Sequence, residues 1–360
     1  MLKNNNDSSR VFGLDILRAA AITLVVLTHG AYLIADTRFS GFPYIKSIDG
    51  VDMFFVLSGF LIGSILLKEI NAETQFGFKA LTNFWKRRWL RTLPNYYLIL
   101  LANYLVIHFK VIHEDISQFS WKFLFFLQNF SHPFYGFFWE SWSLTIEEWF
   151  YISAPLLLIL FLRFFSPKKS FLFVTILMII APLLYRISII NPAIDDFGYD
   201  VGFRKIVLTR LDSIAYGLLA AWINYYYDQL WNKYKFICFF MGIGLIAFIV
   251  NYKVPNTTFY KQVLTFSLTP ISVMLILPFL KSIKSGKGYI AASITHISKI
   301  SYSMYLINLA LVAEVIRDNY YPTTEIDAVV KYLLYWTIVI IASTLIYTFY
   351  EKPIMNLRDK

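Results

Sequence analysis

The sequence predicts an all-α, polytopic integral membrane protein with about ten transmembrane helices and both termini in the cytoplasm. Two observations carry this prediction. Of the 360 residues, 58% are hydrophobic and only 16% are charged, which excludes an ordinary soluble protein of this size. Long apolar segments also recur from one end of the chain to the other, which favours a single membrane domain over a soluble core with an anchor.

Ten apolar segments approach or reach the length that crosses a bilayer. They lie at 14–34, 51–67, 93–111, 142–165, 171–190, 207–226, 236–251, 261–280, 300–316 and 332–350. The segment 121–137 is aromatic but carries several polar residues and a proline, so we expect it to be interfacial or re-entrant, or a partial eleventh span. The predicted organisation is a disordered cytoplasmic tail at 1–10 and one transmembrane domain at 11–360.

The distribution of lysine and arginine sets the predicted orientation. With the N-terminus inside, the cytoplasmic segments hold about twice as many of these residues as the outer segments. An even number of spans then places both termini in the cytoplasm. This topology, with contact to membrane lipids, accounts for the net charge of +10, so no nucleic-acid partner is expected.

Arg18 and His29 stand eleven residues apart in the first apolar segment. In an α-helix this spacing returns to nearly the same face about 16 Å further along, which is roughly half the hydrocarbon thickness. Ionisable groups at such depth face a bundle interior or a watery cavity and are candidates for a functional site. The alternative is a structural ion pair of Arg18 with Asp15, which lies on the same stripe, and a histidine bonded to a backbone carbonyl.

The predicted topology brings further polar side chains to the outer level of His29. A carboxylate there would orient the imidazole as a general base, which typically contributes about 10²–10⁴-fold to a rate. Glu147 and Glu148 are the candidates, although acidic residues near a helix start can instead favour the helix dipole. Ser58 lies on an apolar helix and no Gly-x-Ser-x-Gly motif is present, so direct attack by an acceptor hydroxyl is favoured over an acyl-serine. The expected cluster contains His29, Glu147 or Glu148, Asp52, Arg210 and Asp212.

A second group of basic residues lies on the predicted cytoplasmic side. Arg87, Arg88 and Arg91 are close together, beside aromatic residues and just before Pro94. Such residues serve either as ordinary cytoplasmic anchors or as a clamp for phosphate groups. Because Arg18 is buried in the neighbouring stripe, we favour a phosphate-bearing donor that enters from the cytoplasm and extends a long arm toward His29.

Several of these residues stand in motifs that resemble the family 3 membrane acyltransferases. Arg18 and His29 match the opening motif of that family, an arginine and a histidine separated by ten residues. The other matches are the stretch 54–62, the basic stretch 87–94, the Trp-Ser-Leu-x-x-Glu-Glu-x-Phe-Tyr signature at 142–151, Arg210 and Asp212 with the following Gly217, and the closing Glu351, Lys352 and Pro353. These motifs occur in order and cover nearly the whole chain.

The resemblance implies a multi-pass enzyme of the bacterial inner membrane that O-acylates cell-surface polysaccharides or their lipid-linked precursors, such as O-antigen or exopolysaccharide. Its implied co-substrate is acyl-coenzyme A, usually acetyl-CoA, with no permanently bound cofactor and no metal. Asn308 departs from the family, in which a histidine often follows the Ser-Tyr-Ser-x-Tyr-Leu stretch, and this leaves His29 as the only family-type base. The implied acceptor-binding or supporting residues are Asp52, Ser58, Trp142, Ser143, Tyr151, Arg210 and Asp212.

The main alternative is a transporter or flippase for a lipid-linked sugar, which would also combine about ten spans with buried charges. Such proteins tend to contain inverted repeats and broken helices, and the sequence shows no sign of them. A polysaccharide polymerase would place its key arginines in a large outer loop, whereas the predicted outer loops here are short. The sequence does not define the acyl group, the glycan hydroxyl or the oligomeric state.

Overall fold

The computed structural model describes residues 10–40, 49–72 and 76–357, and the regular structure within these ranges is helical. The α-helices are α1 (Phe12–Gly30), α2 (Gly50–Ile70), α3 (Phe78–His108), α4 (Ser141–Leu162), α5 (Pro167–Ser188), α6 (Asp196–Tyr199), α7 (Val207–Tyr226), α8 (Asp228–Lys233), α9 (Lys235–Asn251), α10 (Thr265–Ser282), α11 (Gly288–Ile307), α12 (Val315–Asn319), α13 (Glu325–Ile346) and α14 (Lys352–Asn356). Segments of π-helix connect or extend them at Asp200–Arg204, Tyr260–Leu264, Asn308–Glu314 and Tyr347–Glu351. The all-α prediction is confirmed, whereas the predicted disordered tail lies, apart from Arg10, outside the described residues.

Seven helices of the described chain, taken with their extensions, are long and apolar enough to cross a membrane. They are Phe12–Ile34, Gly50–Ile70, Ser141–Leu162, Pro167–Ser188, Tyr260–Ser282, Gly288–Asn319 and Glu325–Asn356. The pair Asp196–Arg204 and Val207–Tyr226, bent by 60° at its break, makes an eighth if it is counted as one span.

All ten predicted apolar segments lie on helices, but three of those helices, α3, α7 and α9, do not meet the criteria for a span on their own, and α7 does so only together with the bent segment before it. Helix α9 has only 17 residues. Helix α3 has 31 residues, but the basic stretch and Pro94 lie inside it and reduce its apolar character. Ten spans, like the cytoplasmic location of both termini, therefore remains a prediction.

Helix α2 lies inside the bundle and packs extensively on α7. Glycines at their crossing bring the two backbones into contact. A β-carbon added to Gly59 would lie 2.0 Å from a carbonyl oxygen of α7, and one added to Gly217 would lie 2.2 Å from a carbonyl oxygen of α2. Small residues commonly permit such close approach between membrane helices. Because α2 is buried over most of its length, its polar residues Asp52 and Ser58 lie inside the protein.

The aromatic segment 121–137 does not form a spanning helix. It begins with a 3₁₀ turn, Trp121–Phe125, and then follows an irregular path with a left-handed φ of 56° at Phe126. Trp149 of α4 donates its indole N–H to the Phe126 carbonyl oxygen at 2.7 Å. The side chain of Asn129 donates to the carbonyl oxygen of Trp142 at 3.0 Å. The segment therefore packs against the first half of α4, as expected for an interfacial or re-entrant stretch.

Candidate active site

A narrow cavity between α1, α2, α3, α4 and α11 brings several of the predicted residues together. Its polar lining is Arg18, Ser58, Arg88, Arg91, Thr92, Ser143, Glu147, Ser301, Tyr302 and Tyr305. Its apolar lining is Val51, Phe54, Phe55, Leu57, Leu61 and Leu144. We call it the arginine cavity. Its volume is about 90 Å³, and three cations and one carboxylate face this space.

Arg88 is held in the arginine cavity by Tyr151, Ser58 and Glu147. Its guanidinium carbon lies 4.2 Å from the centre of the Tyr151 ring. The same guanidinium donates hydrogen bonds to the Tyr151 hydroxyl and, at 3.2 Å, to Ser58 Oγ. Glu147 accepts from the Tyr151 hydroxyl at 2.8 Å and lies 3.9 Å from Arg88. This network joins α2, α3 and α4 and orients one cation toward the cavity.

Arg91 and Arg18 keep more of their hydrogen-bonding capacity. The Arg91 guanidinium lines the cavity and makes no hydrogen bond or ion pair within the described ranges. Arg18 lies 3.5 Å from Asp15 and donates to Ser298 Oγ at 3.2 Å. The structural pair considered from the sequence therefore exists, but Asp15 makes a much shorter contact of 2.6 Å with Arg10. Part of the Arg18 guanidinium remains available to a ligand.

Arg87, the fourth arginine predicted to bind the donor, does not reach the arginine cavity. It is exposed and lines a separate pocket with Glu69, Asn83 and Phe84. Rotation about α3 separates Arg87 from Arg88 by about 100° but from Arg91 by only about 40°, so the position along the helix also matters. Arg87 lies about one turn nearer the start of α3 than Arg91, beside Glu69 at the end of α2. The structure therefore does not bring Arg87 into one cavity with the other three arginines predicted to bind the donor.

Glu148 is turned toward α3. It is 4% exposed, and its carboxylate accepts from Trp89 Nε1 at 3.0 Å and from Thr92 Oγ1 at 2.9 Å. Neither Glu148 nor Glu147 is bonded to His29, so the predicted pairing of His29 with one of these carboxylates is wrong. The depth argument gave the position of each residue along α4, but it did not give the neighbouring helix that each side chain faces.

The partner of His29 is Asn308. The ring Nδ1 lies 2.6 Å from the side-chain oxygen of Asn308. The amide nitrogen of Asn308 donates to the carbonyl oxygens of Met304, at 2.9 Å, and Tyr305, at 2.8 Å. These bonds assign the amide orientation, so the Asn308 oxygen accepts a hydrogen bond from Nδ1–H, and Nε2 is unprotonated with a free lone pair.

Asn308 stands at an interruption of α11. The α-helix ends at Ile307, and the π-helical segment Asn308–Glu314 follows it. Such π segments are frequent at functional sites. Tyr305 lies almost one turn before Asn308 and lines the arginine cavity. The cavity therefore extends from Arg18 to within about one helical turn of Asn308, the partner of His29, while His29 itself is half-buried and does not line the cavity.

Glu140, which the sequence reasoning missed, anchors this end of the cavity. Its carboxylate accepts from the backbone N–H of Ala310 at 2.9 Å, and its carbonyl oxygen accepts from the Tyr305 hydroxyl at 3.0 Å. The Tyr305 hydroxyl also accepts from Ser143 Oγ at 2.6 Å. Burial raises the pKa of Glu140 to about 8. Its only signal in the sequence was an acidic residue just before the Trp-Ser-Leu stretch.

Asp52, Arg210 and Asp212 belong to buried ion pairs rather than to a cluster with His29. Arg210 lies 2.5 Å from Asp52, and Asp212 lies 2.7 Å from Arg186 with both side chains fully buried. None of these side chains bonds to His29 or lines the arginine cavity. The predicted single outer cluster is therefore wrong. The pairs connect α7 to α2 and α5 instead.

Trp142 also has a supporting position. The guanidinium carbon of Arg204 lies 4.9 Å from the centre of the Trp142 indole, and Phe55 packs against that indole edge to face at 6.0 Å. Of the other predicted supporting residues, Ser58 and Ser143 line the cavity, and Tyr151 holds Arg88 beside it.

The model of the acyltransferase 3 domain matches this chain over residues 11–350. The chain belongs to the acyltransferase 3 family. The resemblance found in the sequence motifs is thereby confirmed, as is the assignment to a family of acyltransferases. No solved structure matches this acyltransferase 3 chain.

Its relatives in the family include proteins named as O-acetyltransferases. The O-acetyltransferase OatA of Staphylococcus aureus is 27% identical over 370 residues, which cover 95% of this chain and 57% of OatA. Another protein of that species, provisionally named an O-acetyltransferase, is 28% identical over 365 residues, covering 95% of this chain and 56% of the relative. YrhL of Bacillus subtilis, provisionally named a peptidoglycan O-acetyltransferase, is 33% identical over 160 residues, covering 41% of this chain and 23% of YrhL. This acyltransferase 3 chain thus spans little more than half the length of the two Staphylococcus proteins.

Proposed function

We propose that this protein is a multi-pass O-acetyltransferase of the bacterial cytoplasmic membrane, which transfers an acetyl group from acetyl-CoA to a hydroxyl of a glycan. The proposed acceptor is a cell-surface polysaccharide or a lipid-linked precursor. One observation carries the proposal. A cavity lined by arginines leads toward an imidazole whose Nδ1 is held by Asn308, with Arg18 and His29 on one helix about 16 Å apart.

The phosphates of acetyl-CoA are assigned to Arg18, Arg88 and Arg91. Guanidinium groups bind phosphate oxygens through paired N–H donors, and Arg91 has its donors unused. Glu147 is the one carboxylate in the lining, so the cavity keeps a positive charge. Its narrow, largely apolar remainder suits the extended thiol-bearing arm of CoA better than the nucleotide. With the N-terminus in the cytoplasm, the arginines face the compartment that supplies CoA thioesters.

His29 is the proposed general base. As the acceptor oxygen attacks the thioester carbonyl carbon, Nε2 takes the hydroxyl proton. The carbon–sulfur bond then breaks, and the imidazolium returns that proton to the leaving thiolate, so the products are an ester and free CoA. Asn308 keeps the ring oriented through both steps, because its side-chain oxygen accepts a hydrogen bond from Nδ1–H at 2.6 Å.

The test is release of the CoA thiol from acetyl-CoA by the purified protein in lipid nanodiscs, with an oligosaccharide acceptor. We expect His29→Ala to lower kcat by about 10²–10⁴-fold. Asn308→Ala should lower kcat by about 10²-fold because the ring loses its orientation. Asn308→Asp keeps an acceptor for Nδ1–H and should retain more activity. The matched control is His296→Ala, since His296 bonds to Thr344 at 3.0 Å and lies outside the arginine cavity.

Undiminished turnover by folded His29→Ala protein would contradict the role of the imidazole. Movement of a lipid-linked sugar across the membrane of proteoliposomes that contain the protein, without any release of CoA, would favour the transporter instead. The amount of folded protein, measured by size-exclusion chromatography, separates loss of chemistry from loss of structure.

A further inference from the structure

A second cavity lies between the start of α2, the bent α6–α7 region, the end of α9 and the start of α10. Its volume is about 350 Å³, and it shares no lining residue with the arginine cavity. Charged groups from several elements face it, including Asp49, Asp52, Arg204 and Lys261. We call it the Lys261 cavity. Neither the motifs nor the proposed donor site assigns it a ligand.

The first turn of α2 connects the Lys261 cavity with α1, the helix that carries His29. Asp49 caps α2 by accepting from the backbone N–H of Val51 at 2.9 Å. The next residue, Gly50, lies so close to α1 that an added β-carbon would be 3.0 Å from a side-chain carbon of Val25. Val25 is about one helical turn before His29 on α1. Asp49 of the Lys261 cavity is therefore next in sequence to a residue that touches α1, the helix that carries His29.

The charges in the Lys261 cavity favour an anion that also carries hydroxyl groups. Arg204 is paired with Asp49 at 3.0 Å, and Arg210 with Asp52 at 2.5 Å. The half-buried Lys261 ammonium makes no hydrogen bond or ion pair with any residue in the described ranges. Lys253 also faces the cavity, whose lining thus has more positive than negative groups.

The remaining walls suit a sugar. Tyr199, Tyr252 and Phe266 line the cavity, and the rings of Tyr199 and Phe266 stack at 5.7 Å. Aromatic faces with a few charged and polar groups are typical of small-molecule sites. Burial acts to raise the pKa of Asp49, but Arg204 and Arg210 outweigh it and lower that pKa, so the carboxylate is ionised at neutral pH and accepts hydrogen bonds from hydroxyl groups.

We propose that the Lys261 cavity binds the acceptor and selects a glycan that carries a carboxylate or a phosphate, with Lys261 as the principal contact to that anionic group. This inference rests on the proposed function, because it names the acceptor class of the same reaction. A phospholipid headgroup shares the anionic group, but it lacks the row of sugar hydroxyls that the two carboxylates and the aromatic walls would contact.

The experiment compares a muramic acid-containing disaccharide with the methyl ester of its lactyl carboxylate. Binding to the full chain in nanodiscs is measured by isothermal titration calorimetry without acetyl-CoA, and CoA release is measured separately. We expect the acid to bind about tenfold more tightly than the ester, and Lys261→Gln to remove this difference, since one charged hydrogen bond is lost. Lys299→Gln, which changes a half-buried lysine of another pocket, is the matched control and should keep the preference.

Equal affinity for acid and ester, or a preference that persists in Lys261→Gln, would overturn the inference. So would competition by soluble dihexanoyl phosphatidylglycerol, but not by the phosphatidylcholine equivalent, because the cavity would then be a headgroup site. If the acid binds through Lys261 while no CoA is released from the wild-type protein, the proposed function fails, and the Lys261 cavity is a site for anionic glycans without the role of acceptor site. If CoA is released with no dependence on the carboxylate, the proposed function stands and this inference fails.

Discussion

At the scale of single residues, the orientation of His29 depends on a neutral amide. An asparagine oxygen selects the tautomer, as a carboxylate would, but it brings no negative charge to the imidazolium that forms when the base takes a proton. The bond is well determined, because two main-chain carbonyls hold the amide nitrogen of Asn308. Asn308 therefore supplies direction, and stabilisation of the ring charge must come from the surroundings.

Arg91 and Arg87 of the basic stretch offer a matched pair of variants. Arg91→Lys keeps the charge in the arginine cavity but removes the forked donor geometry, so the KM for acetyl-CoA should rise about tenfold, as expected for loss of one charged hydrogen bond. Arg87→Lys should leave that KM unchanged because Arg87 lines another pocket. Steady-state CoA release at varied acetyl-CoA measures both. Equal effects of the two substitutions on KM would mean that both arginines serve as cytoplasmic anchors and that Arg91 does not bind the donor.

The sequence predicted the positions of the candidate residues along their helices better than it predicted their partners. Arg18 and His29 share α1, as their spacing within one apolar segment indicated. The bond between His29 and Asn308 joins positions 279 residues apart in the chain, and no local pattern encodes it. A similar limit explains why Glu147 was wrongly paired with His29. Helical periodicity gives the depth of Glu147 along α4 but not the rotation that turns its side chain toward Arg88.

At the scale of elements, irregular helix ends and interruptions shape the site. The π-helical segment Asn308–Glu314 follows α11 where Asn308 meets His29, and the π-helical segment Asp200–Arg204 carries Arg204 to Trp142. Hydropathy predicted where the helices lie, because burial in lipid requires long apolar runs. It did not predict these π segments or the extension of α3 through its basic stretch, since neither changes the apolar pattern.

Glycine substitutions test the contact between α2 and α7. Gly217→Ala should lower the apparent unfolding temperature, because the new β-carbon would lie 2.2 Å from one backbone atom of α2 and 2.6 Å from another. Overpacking of this kind typically costs about 1–3 kcal/mol. Gly244→Ala, at a helical position with nothing within 4 Å of the added carbon, should be neutral or stabilising. Thermal unfolding in detergent compares the two variants with the wild-type protein. Equal unfolding temperatures for Gly217→Ala and Gly244→Ala would mean that α2 and α7 can move apart without loss of stability.

At the scale of the whole molecule, the first turn of α2 separates the two cavities. It presents Val51 and Phe54 to the arginine cavity and Asp49 and Asp52 to the Lys261 cavity. The sequence predicted Asp52 in one cluster with His29, because the partition depends on how neighbouring helices rotate about their axes and apolar periodicity does not specify that rotation.

The stability of the whole molecule should also depend on pH through Glu114, in the connection after α3. Burial, together with the carboxyl groups of Glu314 and Glu140, raises the pKa of Glu114 to about 9, against 4.5 for a free glutamate. Between these values the folded protein holds a proton that the unfolded chain has released, so stability falls as pH rises. Glu114→Gln should flatten the fall in apparent unfolding temperature from pH 5 to 9 and be the more stable protein at pH 9. Asp115→Asn is the control, because hydrogen bonds from Ser117 and Gln118 lower the pKa of Asp115 and confine its effect to acid pH. An unchanged slope in Glu114→Gln would show that this carboxyl is not the group that carries the dependence.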